Sequence, residues 1–303
     1  VPFDRNPNRV PDKIDRDEER EPDQSHLVHV PRIYCTIQNH GLLHLPPPIV
    51  ERLAALGIQN AQGESHLGHS ETLTAMTDEL IEGLGRFSSL RRIQSGTRDL
   101  IVTAAAVHDI GKTGPPMSIN PDPIPFVKFY NVDFPNGAQK MMLRTALHLA
   151  IQMGGITTEE RNYIEKVLRA YGLAPDRMYL RTFYNLHSLF TYDILREGGT
   201  TEDIAAAASG HHLKRGVKPD SYSFGDLAET GRYIEPLDEL AAMVRKNNLR
   251  TRNLSTRDRI QAVYLPFETL PKPISSAYCG TLNVAIASGV LPDIVERHPS
   301  QKS

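Results

Sequence analysis

An all-α fold is what the sequence predicts, and three observations carry the prediction. Apolar residues recur at three- and four-residue steps along most of the chain, helix start and stop signals bracket those runs, and neither an internal repeat nor a Rossmann or P-loop glycine pattern is present. With 303 residues, 40% of them hydrophobic, the chain has material for two average domains or for one large helical domain with an appendage.

Residues 1–45 read as an arm. Pro2, Pro7, Pro11 and Pro22 interrupt it, charge is dense from Asp12 to Asp23, and the little apolar surface present offsets its ordering entropy only if the arm lies on the rest of the protein. Within it, Val28, Val30, Ile33, Tyr34, Thr36 and Ile37 favour a small extended or hairpin segment that Pro46, Pro47 and Pro48 end. Residues 46–303 read as the helical domain. Helices are predicted over Ile49–Leu56, His66–Leu84, Asp99–Ile110, Ala138–Met153, Thr158–Tyr171, Thr182–Leu195, Thr201–His212, Leu237–Val244, Arg257–Val263 and Ser276–Ala287. In the second of these, Leu73, Met76, Leu80, Ile81 and Leu84 form one apolar stripe. Thr158 and Thr201, each followed by acids, read as caps, while Gly85, Gly111, Gly154, Gly172 and Gly198 follow helical runs. Between Gly114 and Pro135 the prolines 115, 116, 121, 123, 125 and 135 predict a long functional loop or lid.

Charge is balanced, 34 Lys and Arg against 36 Asp and Glu, which argues against general nucleic-acid binding. No apolar run approaches the roughly 20 residues that cross a bilayer, so no membrane insertion is expected. Cys35 and Cys279 make at most one disulfide and suit a reducing cytoplasm. Cys35 with His29, His40 and His44 also has the ligand types of a zinc site, although structural roles account for them as well.

The chemistry concentrates in histidine and aspartate. His108-Asp109-Ile110-Gly111-Lys112 ends a long apolar run, so an imidazole and a carboxylate flank one point beyond a helix, and Gly111 lets the chain turn away. Such a pair suits a divalent metal, and a carboxylate can bridge two. His69 sits on the preceding helix, His187 on the apolar side of a later one, and His211-His212 repeat the adjacent-pair geometry at the end of an alanine-rich helix.

The order His69, His108-Asp109-x-Gly-Lys112, His187, His211-His212 resembles the HD superfamily of metal-dependent phosphohydrolases, in particular its HD-GYP branch, over about residues 60–290. The resemblance implies an all-α HD-domain helical bundle. It implies two divalent ions, iron or manganese, held by His69, His108, Asp109, His187, His211 and His212, with Asp109 bridging. It further implies hydrolysis of a phosphodiester or nucleotide, cyclic di-GMP among the candidates, with Lys112 acting on the substrate. Lys214, Arg215 and Lys218, just past the histidine pair, are candidates for a second phosphate.

The sequence departs from the family pattern in four places. Leu213-Lys214-Arg215-Gly216-Val217-Lys218-Pro219 lacks the Tyr of the Gly-Tyr-Pro signature, and Ser65 stands where three-metal members have Glu. Leu265 falls at the last ligand position, which leaves Asp258 and Glu268 as replacement candidates. Residues 113–180 read as an insertion. Two alternatives to the hydrolase follow: a catalytically degenerate HD-domain protein that binds a nucleotide or a protein partner, and a di-iron oxygenase such as other HD-fold proteins are.

Overall fold

The computed structural model describes residues 45–60, 63–86, 95–245, 254–270, 272 and 274–298. The expected hairpin and the Cys35 cluster lie outside the described residues. Among the described residues the fold is an all-α bundle, with one isolated antiparallel bridge between Met142 and Tyr179. No single described helix is long and apolar enough to cross a membrane.

The helices are α1 Pro47–Ala55, α2 His66–Gly85 and α3 Ser95–Val107; then α4 Ile124–Tyr130, α5 Leu143–Gln152 and α6 Thr158–Ala170 in the inserted region. After it come α7 Leu180–Glu197, α8 Glu202–Ser209, α9 Phe224–Arg245, α10 Thr256–Glu268, α11 Ile274–Ala287 and α12 Val290–Arg297. Short 3-10 turns at Ile110–Thr113 and Gly210–Arg215 extend α3 and α8. The predicted stripe of α2 is buried throughout, and Ser65 begins the helix by accepting a hydrogen bond from Gly68 N through Oγ at 3.1 Å. Ser65 is therefore spent on the helix end. The cap of α6 is Thr157, one residue before the expected Thr158, because Glu160 reaches back to the Thr157 N–H (2.7 Å) in a capping box.

Three elements differ from expectation for identifiable reasons. The run Ala138–Met153 divides, since Met141 and Met142 are extended and the residues flanking Met142 bond the backbone flanking Tyr179 (Leu143 N to Met178 O, 2.7 Å; Leu180 N to Met141 O, 2.9 Å). The helix expected to begin at Leu237 begins at Phe224 and runs through Pro236. An interior proline costs about 3 kcal/mol. Burial of Ile234, Leu237, Leu240 and Ala241 as α9 packs on α2 and α11 works against that cost.

The proline-rich stretch is a built-in wall instead of a lid. Proline is favoured in the first turn of a helix, where Pro125 starts α4. The rings of Phe126 and Phe129 from α4 lie 6.3 and 5.3 Å from Phe183 of α7, so the insertion shares the main core. Arg52 of α1, 3% exposed, donates to the carbonyls of Asn120 (3.0 Å) and Pro115. Burial lowers its pKa to about 10, which still leaves it charged at neutral pH. Asn120 in turn donates to Thr113 O (2.7 Å) and accepts from Tyr163 (2.8 Å). Gly114 joins this network at a φ of +86°, where a Cβ would meet Asn120 and the Phe126 ring at 2.7 Å.

Candidate metal centre

Helix α7 is the keystone. It carries His187, and the residues beside it fasten the two chain turns that carry the other ligand candidates. Thr191 Oγ1 donates to His108 O (2.8 Å) and accepts from Gly111 N (3.0 Å), while Ser188 Oγ donates to Ser209 O. Gly111 serves close approach more than turning: a Cβ there would lie 1.8 Å from the His187 carbonyl oxygen, and the φ of Gly111 is not left-handed. The turn after α3 thereby sits directly on α7, with His108 and Asp109 beside His187.

Three histidines share one local device. His108 Nδ1 lies 2.8 Å from Ala105 O, His211 Nδ1 lies 2.6 Å from Ala208 O, and His187 Nδ1 meets Tyr184 O, in each case the carbonyl three residues earlier. A carbonyl only accepts, so each Nδ1 carries the proton and each Nε2 presents a bare lone pair. This is the orientation that metal-binding histidines adopt.

Those Nε2 atoms converge. His187 Nε2 lies 2.9 Å from His211 Nε2 and 3.1 Å from His212 Nε2. Two lone pairs at that separation do not bond each other and call for a cation between them. Ligands at right angles and about 2.1 Å from one ion would sit roughly 3 Å apart, so the donor set fits a metal. His69, His108 and Asp238 form the second group, with His69 Nε2 2.8 Å from Asp238 Oδ1. His108 Nε2 is buried and has no hydrogen-bond partner among the described residues. Asp109 lies between the groups: Oδ1 is 3.3 Å from His187 Nε2, and Oδ2 is 3.5 Å from His108 Nε2 and bonded to Lys112 Nζ.

The electrostatics favour the ligand forms of Asp109, Asp238, His187, His211 and His212. Burial alone would raise the pKa of Asp109, but the neighbouring His108, Lys112 and His187 outweigh it and hold the carboxyl well below its ordinary range. Asp238 is likewise lowered, burial being overcome by the hydrogen bond and charge of His69 and by His108. Burial first, then neighbouring histidines, pushes His211 and His212 well below the usual imidazole range; burial also lowers His187. Neutral imidazoles and ionised carboxylates are what a metal binds.

All six side chains expected from the sequence come together, and beside them stands an acid that the sequence reading did not name. Asp258 and Glu268 do not take part. Both are exposed on α10, where Asp258 accepts from the capping Ser255 (2.7 Å), and Leu265 is 50% exposed there. Asp238, on α9, lies beside His69 and His108 instead. Among the candidate substrate residues, Lys112 bonds Asp109, and Lys214 and Arg215 both pair with Glu239, the neighbour of Asp238. Lys218 is turned elsewhere, its ammonium 5.8 Å from the centroid of the Phe224 ring.

Glu235, one turn before Asp238, is fully buried and anchors the turn that carries the histidine pair. It accepts from Tyr278 Oη (2.7 Å) and from Lys214 N (3.3 Å). Burial raises its pKa to about 8. In the unfolded chain a glutamate titrates near about 4.3, so the folded state binds the extra proton between those values and stability falls as pH rises through that window. Glu235→Gln should match the wild type in thermal melting at pH 4 and melt at a higher temperature at pH 8.5. Parallel melting curves at all pH values would show that Glu235 ionises freely.

Compared with protein-family models, with curated proteins and with solved structures, the chain shows no match.

Proposed function

We propose that this chain is a metal-dependent phosphohydrolase of the HD type that cleaves a phosphodiester, with cyclic dinucleotides such as cyclic di-GMP as the substrates to try first. The observation that carries the reading is Asp109, whose two carboxylate oxygens face different groups of metal-ligating side chains, His187, His211 and His212 on one side and His69, His108 and Asp238 on the other. A carboxylate so placed can bridge two ions, and imidazole with carboxylate favours iron or manganese over magnesium. Such an ion pair, when bound, acidifies a water and carries charge that develops on phosphoryl oxygens. Lys112, whose side chain is 14% exposed against 2% for Asp109, would hold a non-bridging oxygen. Lys214 and Arg215 meet further negative charge once it displaces Glu239. The buried histidine walls keep bulk water from the reacting phosphorus and strengthen each of these contacts.

Of the two sequence-level reasons for a degenerate site, the missing Gly-Tyr-Pro tyrosine stands, while Asp238 beside His69 offers an acid that Leu265 does not. The test is elemental analysis of the full chain purified without chelators, together with hydrolysis of bis(p-nitrophenyl) phosphate and cyclic di-GMP. About two equivalents of iron or manganese and metal-dependent cleavage are expected. A metal-loaded chain that cleaves neither ester would overturn the proposal in favour of a binding protein, and substrate-dependent oxygen uptake by an iron-loaded chain would favour the oxygenase.

A further inference from the structure

We infer that His66, which belongs to neither group of metal-ligating side chains, positions Lys112 for contact with a phosphoryl oxygen; this rests on the phosphohydrolase reading above. His66 is the first residue of α2 and lies one helical turn before His69, so both imidazoles leave the same face of the helix. The two have different chemistry. His66 Nδ1 is 3.2 Å from Lys112 Nζ, and an ammonium only donates, so Nδ1 accepts and the proton of the neutral ring sits on Nε2. That is the opposite tautomer to His108, His187 and His211, whose Nδ1 atoms donate to backbone carbonyls. His66 is thus set up to hold an ammonium.

The contact acquires its purpose from Asp109. Lys112 Nζ also donates to Asp109 Oδ2, an oxygen that the proposed ions would claim. An ammonium held by Asp109 alone would then swing free on a flexible four-carbon stem. His66 keeps it in place. The imidazole is itself braced: its ring meets the Tyr130 ring edge to face with centroids 6.5 Å apart, and Tyr130 is fixed by stacking on Phe183 (5.0 Å) and by donating to Phe183 O (3.2 Å). The inserted region, through Tyr130 of α4, thereby supports His66, and the same ring lies 6.1 Å from that of His187 on α7.

The full-length chain reconstituted with manganese gives the test, with three readouts on each variant: metal stoichiometry, inorganic phosphate binding by calorimetry, and reductive methylation of Lys112 followed by mass spectrometry. His66→Ala is expected to leave metal content unchanged, to raise Lys112 methylation, and to weaken phosphate binding about tenfold, the scale of one hydrogen bond to a charged group. His66→Asn, whose Oδ1 takes the place of Nδ1 as acceptor, should restore both values. In a Lys112→Ala background, His66→Ala should cost nothing further. Loss of metal in His66→Ala would make His66 a ligand and overturn the inference, as would unchanged methylation or a phosphate defect that persists without Lys112. Failure of the metal-loaded wild type to bind phosphate would instead overturn the phosphohydrolase reading, and the phosphoryl half of this inference with it.

Discussion

Asp109→Ala is expected to remove nearly all bound metal from the chain and to abolish metal-dependent phosphoester cleavage. Both groups of ligating side chains lean on this one carboxylate, whose oxygens lie 3.3 Å from His187 Nε2 and 3.5 Å from His108 Nε2. It is 2% exposed and stays ionised because His108, Lys112 and His187 together outweigh the cost of its burial. Without it, the group around His187 has three neutral imidazoles and no negative charge to offset a divalent ion. Lys112, deprived of its acid, would add an uncompensated positive charge to the same space. The fold should persist, since the hydrogen bonds from Thr191 and Ser188 that tie α7 to the two turns do not involve Asp109. Elemental analysis beside a circular dichroism melt separates the two effects. A folded variant that keeps two ions would show that Asp109 bridges nothing.

What the sequence made legible was whatever rests on local periodicity and local chemistry. The buried stripe of α2, the helix ends at the capping residues, and the His108-Asp109 and His211-His212 pairs after α3 and α8 all declare themselves within a few residues. What stayed hidden depends on packing between distant segments. Gly111 reads as a helix stop, yet its missing side chain is what admits the His187 carbonyl from α7. The prolines between Gly114 and Pro135 read as a functional loop or lid, but a buried arginine from α1 and a tyrosine from α6 hold carbonyls and a side-chain amide of that stretch. Tertiary context overrode local preference at Pro236 too. A proline there suggests a helix beginning at Leu237, which puts Asp238 in a first turn, where an acid is ordinary. With α9 beginning at Phe224, Asp238 lies well inside the helix. The available signal was a pair of acids, Glu235 and Asp238, three residues apart among the apolar residues Ile234, Leu237 and Ala241.

That placement makes Asp238 the sharpest discriminator between the two accounts of the last ligand. Asp238→Ala should release one ion and leave the other, reducing bound metal from about two equivalents to about one. The ion lost belongs to the group of His69 and His108, since Asp238 Oδ1 is 2.8 Å from His69 Nε2 and 3.7 Å from His108 Nε2. The ion retained has three histidines and an undisturbed Asp109. Because catalysis by two ions needs both, cleavage should fall by far more than half, so activity and metal content would not decline in proportion. Asp258→Ala and Glu268→Ala should retain both ions, for those carboxylates are exposed on α10, and removing Asp258 costs only a cap interaction of about 1 kcal/mol or less. Loss of an ion in Asp258→Ala or Glu268→Ala, with Asp238→Ala unchanged, would return the last ligand to α10 and break the second group apart. Equal retention in all three variants would mean that His69, His108 and Asp109 hold their ion without a further acid, and that the His69–Asp238 contact serves only to fasten α2 to α9.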